Sequence, residues 1–269
     1  MDDSYTSFAT VYDELMDNIP YEDWFHYLHG LLSEYNIDDG IIAELGCGTG
    51  NITEQLSAAG YEMIGIDNSP AMLEVANRKK EQNNSNTLYL CQDMRDFELY
   101  GTVKAIISLC DSVNYITEPA ELLQVFTLCN NYLDTGGLMI FDFHTKHYYE
   151  EIADTTIAEN RDDVSFIWDN LYDDEENINE LLLTLFFRVN DESGDDLYRK
   201  YEEVHVQRGY TLNEITGLVK ESGMELIAAY DAFTHTPATE DNDRIYIIAR
   251  EHTVSGAKKA FADNYNKED

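Results

Sequence analysis

Basic residues are scarce. The 269-residue chain carries 17 lysines and arginines against 53 aspartates and glutamates, a formal charge of −36. Nucleic-acid binding relies on clustered cations, so this balance argues against such a partner. A neutral or cationic small molecule suits the field better. Long apolar runs are missing too: none approaches the ~20 residues of a membrane-spanning helix, so no membrane partner is expected. The opening MDDSYTSFAT is acidic where a secretory signal would be basic and then apolar. Cysteine is sparse, with Cys47, Cys91, Cys110 and Cys129 standing singly and no C-x-x-C pair. That spacing excludes a zinc or disulfide framework and points to reduced thiols in a cytoplasmic protein. No converging set of metal ligands stands out, so no metal is expected.

What is present alternates. The stretch from Phe8 to Asn36 reads as helical, interrupted at Pro20, with Trp24, Tyr27, Leu28, Leu31 and Leu32 at helical spacing. IIAEL, YEMIGID, NTLYLCQD, VKAIISLCDS and GGLMIFDF read as apolar strands separated by helical segments. Asn51 and Glu54 have the spacing of a capping box, and Ser69 with Pro70 marks another helix start. Continuous apolar strands between helices predict a doubly wound α/β sheet covered on both faces, with ligands beyond the strands' carboxyl ends.

From about residue 148 the pattern changes to FIWDNLY, INELLLTLFFRV and YRKYEEVHVQRGY, three strands with acidic turns and no helices between. Residues 150–203 hold 18 acids and 4 bases, a charge of −14. The α/β pattern then resumes with TLNEITGLVKESG, MELIAAYDAF and RIYIIAR. The expected organisation is residues 1–147 as N-terminal helices and cofactor core, 148–208 as an antiparallel insertion, 209–250 completing the core, and 251–269 as a frayed polar tail.

The segment AELGCGTGN, residues 43–51, packs three glycines into five positions after the first strand. Glycine at that density means tight backbone and close approach of a ligand. The dinucleotide pattern G-x-G-x-x-G fails, because its third glycine would fall at Asn51. A triphosphate loop fails as well, since no lysine precedes Arg78. Acids follow instead. Asp67 ends the second strand, about twenty residues on, where it can accept from ribose hydroxyls. Asp93 ends the third, placed to meet an adenine amino group, and Asp111 ends the fourth, with Glu44 before the glycines. A nucleoside carrying positive charge and no phosphate fits this set, and S-adenosylmethionine is such a ligand.

At these residues the sequence resembles the class I S-adenosylmethionine-dependent methyltransferases. ELGCGTG is similar to that family's glycine motif, and GIDNSPAML, CQDMRDF, DSVNYI and GGLMIFDFHT resemble its later strand-end motifs in order, over about residues 40–143. FATVYDELM with IPYEDW, and HVQRGYTLNEI, resemble a bacterial small-molecule subgroup related to the glycine and amino-sugar N-methyltransferases. The resemblance implies a Rossmann-like fold with a mostly parallel seven-stranded sheet and a strand-rich antiparallel insertion after the fifth strand. It implies S-adenosyl-L-methionine as cofactor and S-adenosyl-L-homocysteine as product. By the same resemblance Gly46, Gly48 and Gly50 line the methionyl part with Glu44 and Cys47 beside them, and Asp67 holds the ribose. Asp93 and the Met94 backbone read adenine, and Asp111 sits near the methionyl amine. Asn68 and Ser112 complete the set, and Tyr5 and Tyr12 close over the cofactor.

Methyl transfer from a sulfonium is a direct displacement, so the protein aligns the acceptor, excludes water and can assist proton loss from an amine. Tyr115, His144 and His205 are the candidates for that base. His205 alternates with Val204 and Val206, sharing a face with Glu203 and Gln207, so a structural hydrogen bond competes with catalysis there. Trp168, Tyr172 and Phe187 either line a pocket or pack in the core. The insertion and N-terminal helices are expected to form the acceptor pocket and lid. After the fourth strand the chain reads DSVN rather than Asx-Pro-Pro-Tyr/Phe, which argues against a nucleic-acid base or glutamine amide as acceptor. A small-molecule N-methyltransferase, monomeric or homodimeric, is the reading. The alternatives are a non-catalytic cofactor-binding sensor or assembly protein and, behind it, a tRNA or DNA methyltransferase.

Overall fold

The computed structural model describes residues 21–162, 164–189 and 197–252. Five apolar runs form parallel neighbours: β1 (Ile41–Leu45), β2 (Glu62–Asp67), β3 (Leu88–Cys91), β4 (Val103–Ser108) and β5 (Leu133–His144). Alternate residues serve opposite faces. Ile42, Ile107 and Ile140 meet α1 (Tyr21–Glu34) and α2 (Asn51–Ala58) through Trp24, Leu28 and Leu56. Ala43, Ile106 and Phe141 pack on the other side with Phe126 of a helix spanning Pro119–Tyr132. Burying a side chain such as Phe141 contributes about 1.5–3 kcal/mol, which is why both faces are covered.

Between those helices, α3 (Pro70–Asn83) begins where the sequence marks it, with Ser69 Oγ accepting from the Met72 N–H and Pro70 in the first turn. The Pro119–Tyr132 helix is α4. A short 3-10 turn, Ser112–Tyr115, follows β4. After β5 comes a short helix, α5 (Lys146–Glu151), capped by Thr145 and too brief to leave a periodic signal.

The insertion is a separate antiparallel sheet of β6 (Thr156–Asn160), β7 (Val164–Asp173), β8 (Ile178–Val189) and β9 (Leu197–Arg208), in that spatial order. Its first strand was not anticipated. Val164, Phe166, Leu183 and Leu185 on its inner face pack against Met72, with Ala71 and Val75, so the sheet rests on α3. Trp168 and Phe187 join that packing, which makes them core rather than pocket. On the opposite face Val204 is 58% exposed.

The chain then completes the first sheet through α6 (Leu212–Glu221), β10 (Glu225–Asp231) and β11 (Arg244–Arg250). The order is β10-β11-β5-β4-β1-β2-β3, and β11 runs antiparallel to both neighbours. This is the mostly parallel seven-stranded sheet with an insertion after the fifth strand. Two local expectations fail. Gly50, in the left-handed region, precedes α2 with no side-chain cap, and Glu54 instead accepts from Tyr89, Ser85 and Asn83. At the start of the expected tail Glu251 is held, its carboxylate taking the Gly136 N–H and its own N–H reaching the Gly137 carbonyl, while residues 253–269 lie outside the described residues. No helix among the described residues is long and apolar enough to cross a membrane.

Candidate active site

The glycine loop leaves β1 at the carboxyl edge of the sheet. Gly46, Gly48 and Gly50 all have positive φ, at 69°, 53° and 77°. A Cβ at Gly46 would lie 2.5 Å from Ser112 Oγ, so that glycine is fixed by contact as well as by backbone. Asp67, at the end of β2, is clamped against this loop: its two oxygens accept from the Gly48 and Ser69 N–H groups at 2.8 Å each. Burial pushes its carboxyl up while those two amides pull it down.

The other acids are less open than their sequence positions suggest. Glu44 is buried and accepts from the Thr53 hydroxyl, and desolvation pushes its carboxyl up to about 8. Asp93 is held by Arg95, whose Nη2 lies 2.6 Å from Oδ2, and the same carboxylate accepts the Arg95 N–H. Hydrogen bonding from Arg95 keeps its carboxyl below the usual range. Asp111, in the left-handed region, meets Arg244 Nη2 at 2.8 Å and Gln207 Nε2 at 2.8 Å. Two of the four acids thus have cations of their own, because a half-buried carboxylate without a partner is costly. The loop also has a cation nearby: Lys79 of α3 donates to Thr49 Oγ1 and Asn51 Oδ1.

Cys47 is buried beside the loop, and burial raises its thiol well above the ordinary value, as befits packing rather than nucleophilic attack. Met94 packs against the core with its methyl facing Gly46, and Ser112 Oγ donates to the Leu109 carbonyl beside the same glycine. Asn68 is exposed at the mouth. Tyr5 and Tyr12 lie outside the described residues.

A polar seam joins the crevice to the insertion. Arg244 on β11 bridges Asp142 and Asp111, and its Nη2 also contacts His144 Nε2. Burial opposes the guanidinium charge, but the two carboxylates outweigh it and hold Arg244 protonated. Gln207 continues the seam, accepting from Tyr149 Oη at 3.1 Å while donating to Asp111. Tyr172 stacks on Tyr149 in the same wall.

The three base candidates separate here. His144 stacks on Tyr148 at 3.7 Å, with Nε2 toward Arg244 and Nδ1 toward the Asp243 carbonyl. Desolvation, then the guanidinium, lowers it to about 4. Both nitrogens being occupied, it is a strut of the seam, which corrects its candidacy as base. Tyr115 and His205 come together instead: Tyr115 Oη is 3.2 Å from His205 Nδ1, and the rings meet edge to face. Tyr115 is 46% exposed and His205 8%. Glu203 stands on the same face of β9 with Oε2 3.3 Å from His205 Nε2.

The polar row Glu203, His205, Gln207 was visible as an alternation in the sequence; Arg244, Asp142 and Lys79 carried no local signal. Among the described residues no group of three or more potential ligands could hold a metal.

The donor set fits a nucleoside without phosphates. A positive-φ glycine cradle approaches closely, a clamped carboxylate ends β2, and the neighbouring cations are engaged by their own partners. Residues 42–137 match the family described as Methyltransferase domain. YqeM of Bacillus subtilis (strain 168), named as a methyltransferase, is 32% identical over 248 residues, covering 91% of this chain and 96% of its own. Among solved structures, an S-adenosylmethionine-dependent methyltransferase from Clostridium acetobutylicum ATCC 824 superposes with TM-score 0.81 at 24% identity, over 91% of this chain and 98% of that one. The sugar N-methyltransferase KedS8 from Streptoalloteichus sp ATCC 53650 gives 0.70 at 17%, over 88% and 92%. Fold and site together define a nucleoside-binding transferase. The chain belongs to the class I S-adenosylmethionine-dependent methyltransferases, and S-adenosylmethionine is its cofactor.

Proposed function

We propose that this enzyme methylates a nitrogen atom of a small molecule. The observation that carries the reading is the roof over the crevice: the inner face of β9 sets the Tyr115–His205 pair beside the seam that ends at Asp111. The cofactor supplies a methyl already activated on a sulfonium. Gly46, Gly48 and Gly50 cradle the methionyl part, Glu44 and Cys47 shape the floor, and Asp67 accepts from the ribose hydroxyls on its free lone pairs. Met94, Asn68 and the Asp93 turn border the adenine, and Ser112 with Asp111 closes the methionyl end while Arg244 fixes the Asp111 carboxylate.

The segment 148–208 serves as acceptor wall and lid. Its rigid docking on α3 orients the acceptor and excludes water, which is where most of the rate for a displacement with an activated donor arises. Tyr115, half exposed, touches the acceptor. An amine suits this wall because a hydroxyl–imidazole pair can take the proton that a protonated amine must shed. The likeness to a sugar N-methyltransferase and the scarcity of basic residues support an amine-bearing metabolite over a nucleic acid.

The test is incubation with methyl-labelled cofactor and a fractionated metabolite extract, followed by mass spectrometry of the labelled product. Label on the nitrogen of a small molecule is expected. Label on oxygen or carbon, or on RNA or DNA, overturns the proposal.

A further inference from the structure

Glu203 has no task in the fold that accounts for its burial. It is 5% exposed on the inner face of β9, and neither carboxylate oxygen has a hydrogen bond among the described residues. The residue opposite it on β8 is Leu183, and the one opposite His205 is Leu181, so β8 offers no cation. A buried carboxylate without compensation is strongly unfavourable. The polar group that faces it is His205 Nε2, 3.3 Å away.

The arrangement also selects a tautomer. If Nδ1 carried the proton, the Nε2 lone pair would face a carboxylate oxygen at 3.3 Å. With the proton on Nε2 the N–H lies at ion-pair distance from Glu203, outside hydrogen-bond geometry, and Nδ1 accepts from the Tyr115 hydroxyl at 3.2 Å. Carboxylate, imidazole and hydroxyl are neighbours in that order, so the carboxylate's charge favours the Nε2–H tautomer and stabilises the imidazolium.

We propose that Glu203, His205 and Tyr115 form a proton relay serving a protonated amine acceptor. This rests on the amine reading above. The acceptor nitrogen gives its proton to Tyr115 Oη as the hydroxyl proton of Tyr115 passes to His205 Nδ1. The products are a neutral amine with a free lone pair, a neutral tyrosine, and an imidazolium beside the Glu203 carboxylate. His205 later returns the proton to water. Tyr115 is the catalytic residue, since it touches the acceptor; Glu203 is a positioning residue, acting through His205. Along the same face of β9 Tyr201 and Arg199 follow in one direction, and Gln207 leads in the other to Tyr149 of α5 and the Asp111–Arg244 pair. Of these charges, Glu203 stands closest to the imidazole.

Long-range proton–nitrogen NMR on the full chain with S-adenosylhomocysteine bound reads the relay directly, His205 being identified by loss of its signals in His205→Gln. The expected result is an Nε2–H tautomer of the neutral imidazole in the wild type and a shift toward the Nδ1–H tautomer in Glu203→Leu. Glu203→Asp should retain the Nε2–H tautomer. Calorimetric affinity for S-adenosylhomocysteine should stay within about twofold in Glu203→Leu, since Glu203 is not among the residues assigned to the cofactor.

An Nδ1–H tautomer in the wild type, or an unchanged tautomer in Glu203→Leu, overturns the relay. Should that variant lose its fold, the wild-type tautomer and Glu203→Asp still decide. The amine reading fails separately, when label lands on oxygen or carbon while tautomer and shift stand.

Discussion

The two sides of the crevice are built on different terms. On the cofactor side, backbone groups do the holding. Three positive-φ glycines shape the loop, and Asp67 is fixed by two amide N–H groups. On the insertion side, side chains hold one another: Gln207 to Tyr149 and Asp111, Tyr115 to His205, Arg244 to two aspartates. Backbone sites vary little with sequence, whereas side-chain networks change with single substitutions.

The comparison breaks most sharply at the seam. Arg244→Met strands the Asp142 and Asp111 carboxylates, and removing one partner of a buried ion pair typically costs about 3–5 kcal/mol. Thermal unfolding should show that loss, and a Tm within a degree or two of wild type would mean the two sides are independent of Arg244. Next comes the loop. Gly46→Ala forces a Cβ into Ser112 at positive φ, and affinity for S-adenosylhomocysteine should fall about 100-fold or more by calorimetry. Asp67→Ala removes a charged acceptor and should cost about 10- to 100-fold in the same assay, with equal affinities refuting the ribose assignment.

A pH-dependent effect sharpens the cofactor side alone. Glu44 in the folded chain keeps its proton up to about pH 8, against 4.5 as its ordinary value. Between those values the folded state binds more protons than the unfolded state, so stability falls as pH rises through the window, by at most about 1.4 kcal/mol per pH unit. Glu44→Gln should flatten the decline in Tm between pH 5 and 8. A decline of unchanged slope would assign it to other groups.

The parallel core was legible because each strand is a short apolar run followed by a helix, and because strand-end acids recur at set distances from the glycines. Ser69 was legible as a cap since its partner is three residues away. Glu54 was not: its hydrogen bonds go to Tyr89, Ser85 and Asn83, about thirty residues along, and that contact outcompeted the local capping box. Distance in sequence hid Arg244 in the same way, 102 residues from Asp142 and 133 from Asp111. His144 could be placed at the end of its strand but not given a task, because the residue that occupies it is exactly the one that was hidden. The face shared by Glu203, His205 and Gln207 followed from alternation; which neighbour each would meet did not.

The place of β11 in the sheet bears on how the molecule is made. It lies between β10 and β5, and its register pairs Arg244 with His144. During synthesis β5, with Met139, Ile140, Phe141 and Phe143 fully buried in the finished protein, emerges about a hundred residues before the strand that covers its edge. An open apolar edge of that kind is a template for pairing with another chain. The residues that emerge in the interval, 150–203, carry the −14 charge. Like charges repel, so the segment made in that interval is one that disfavours association between chains.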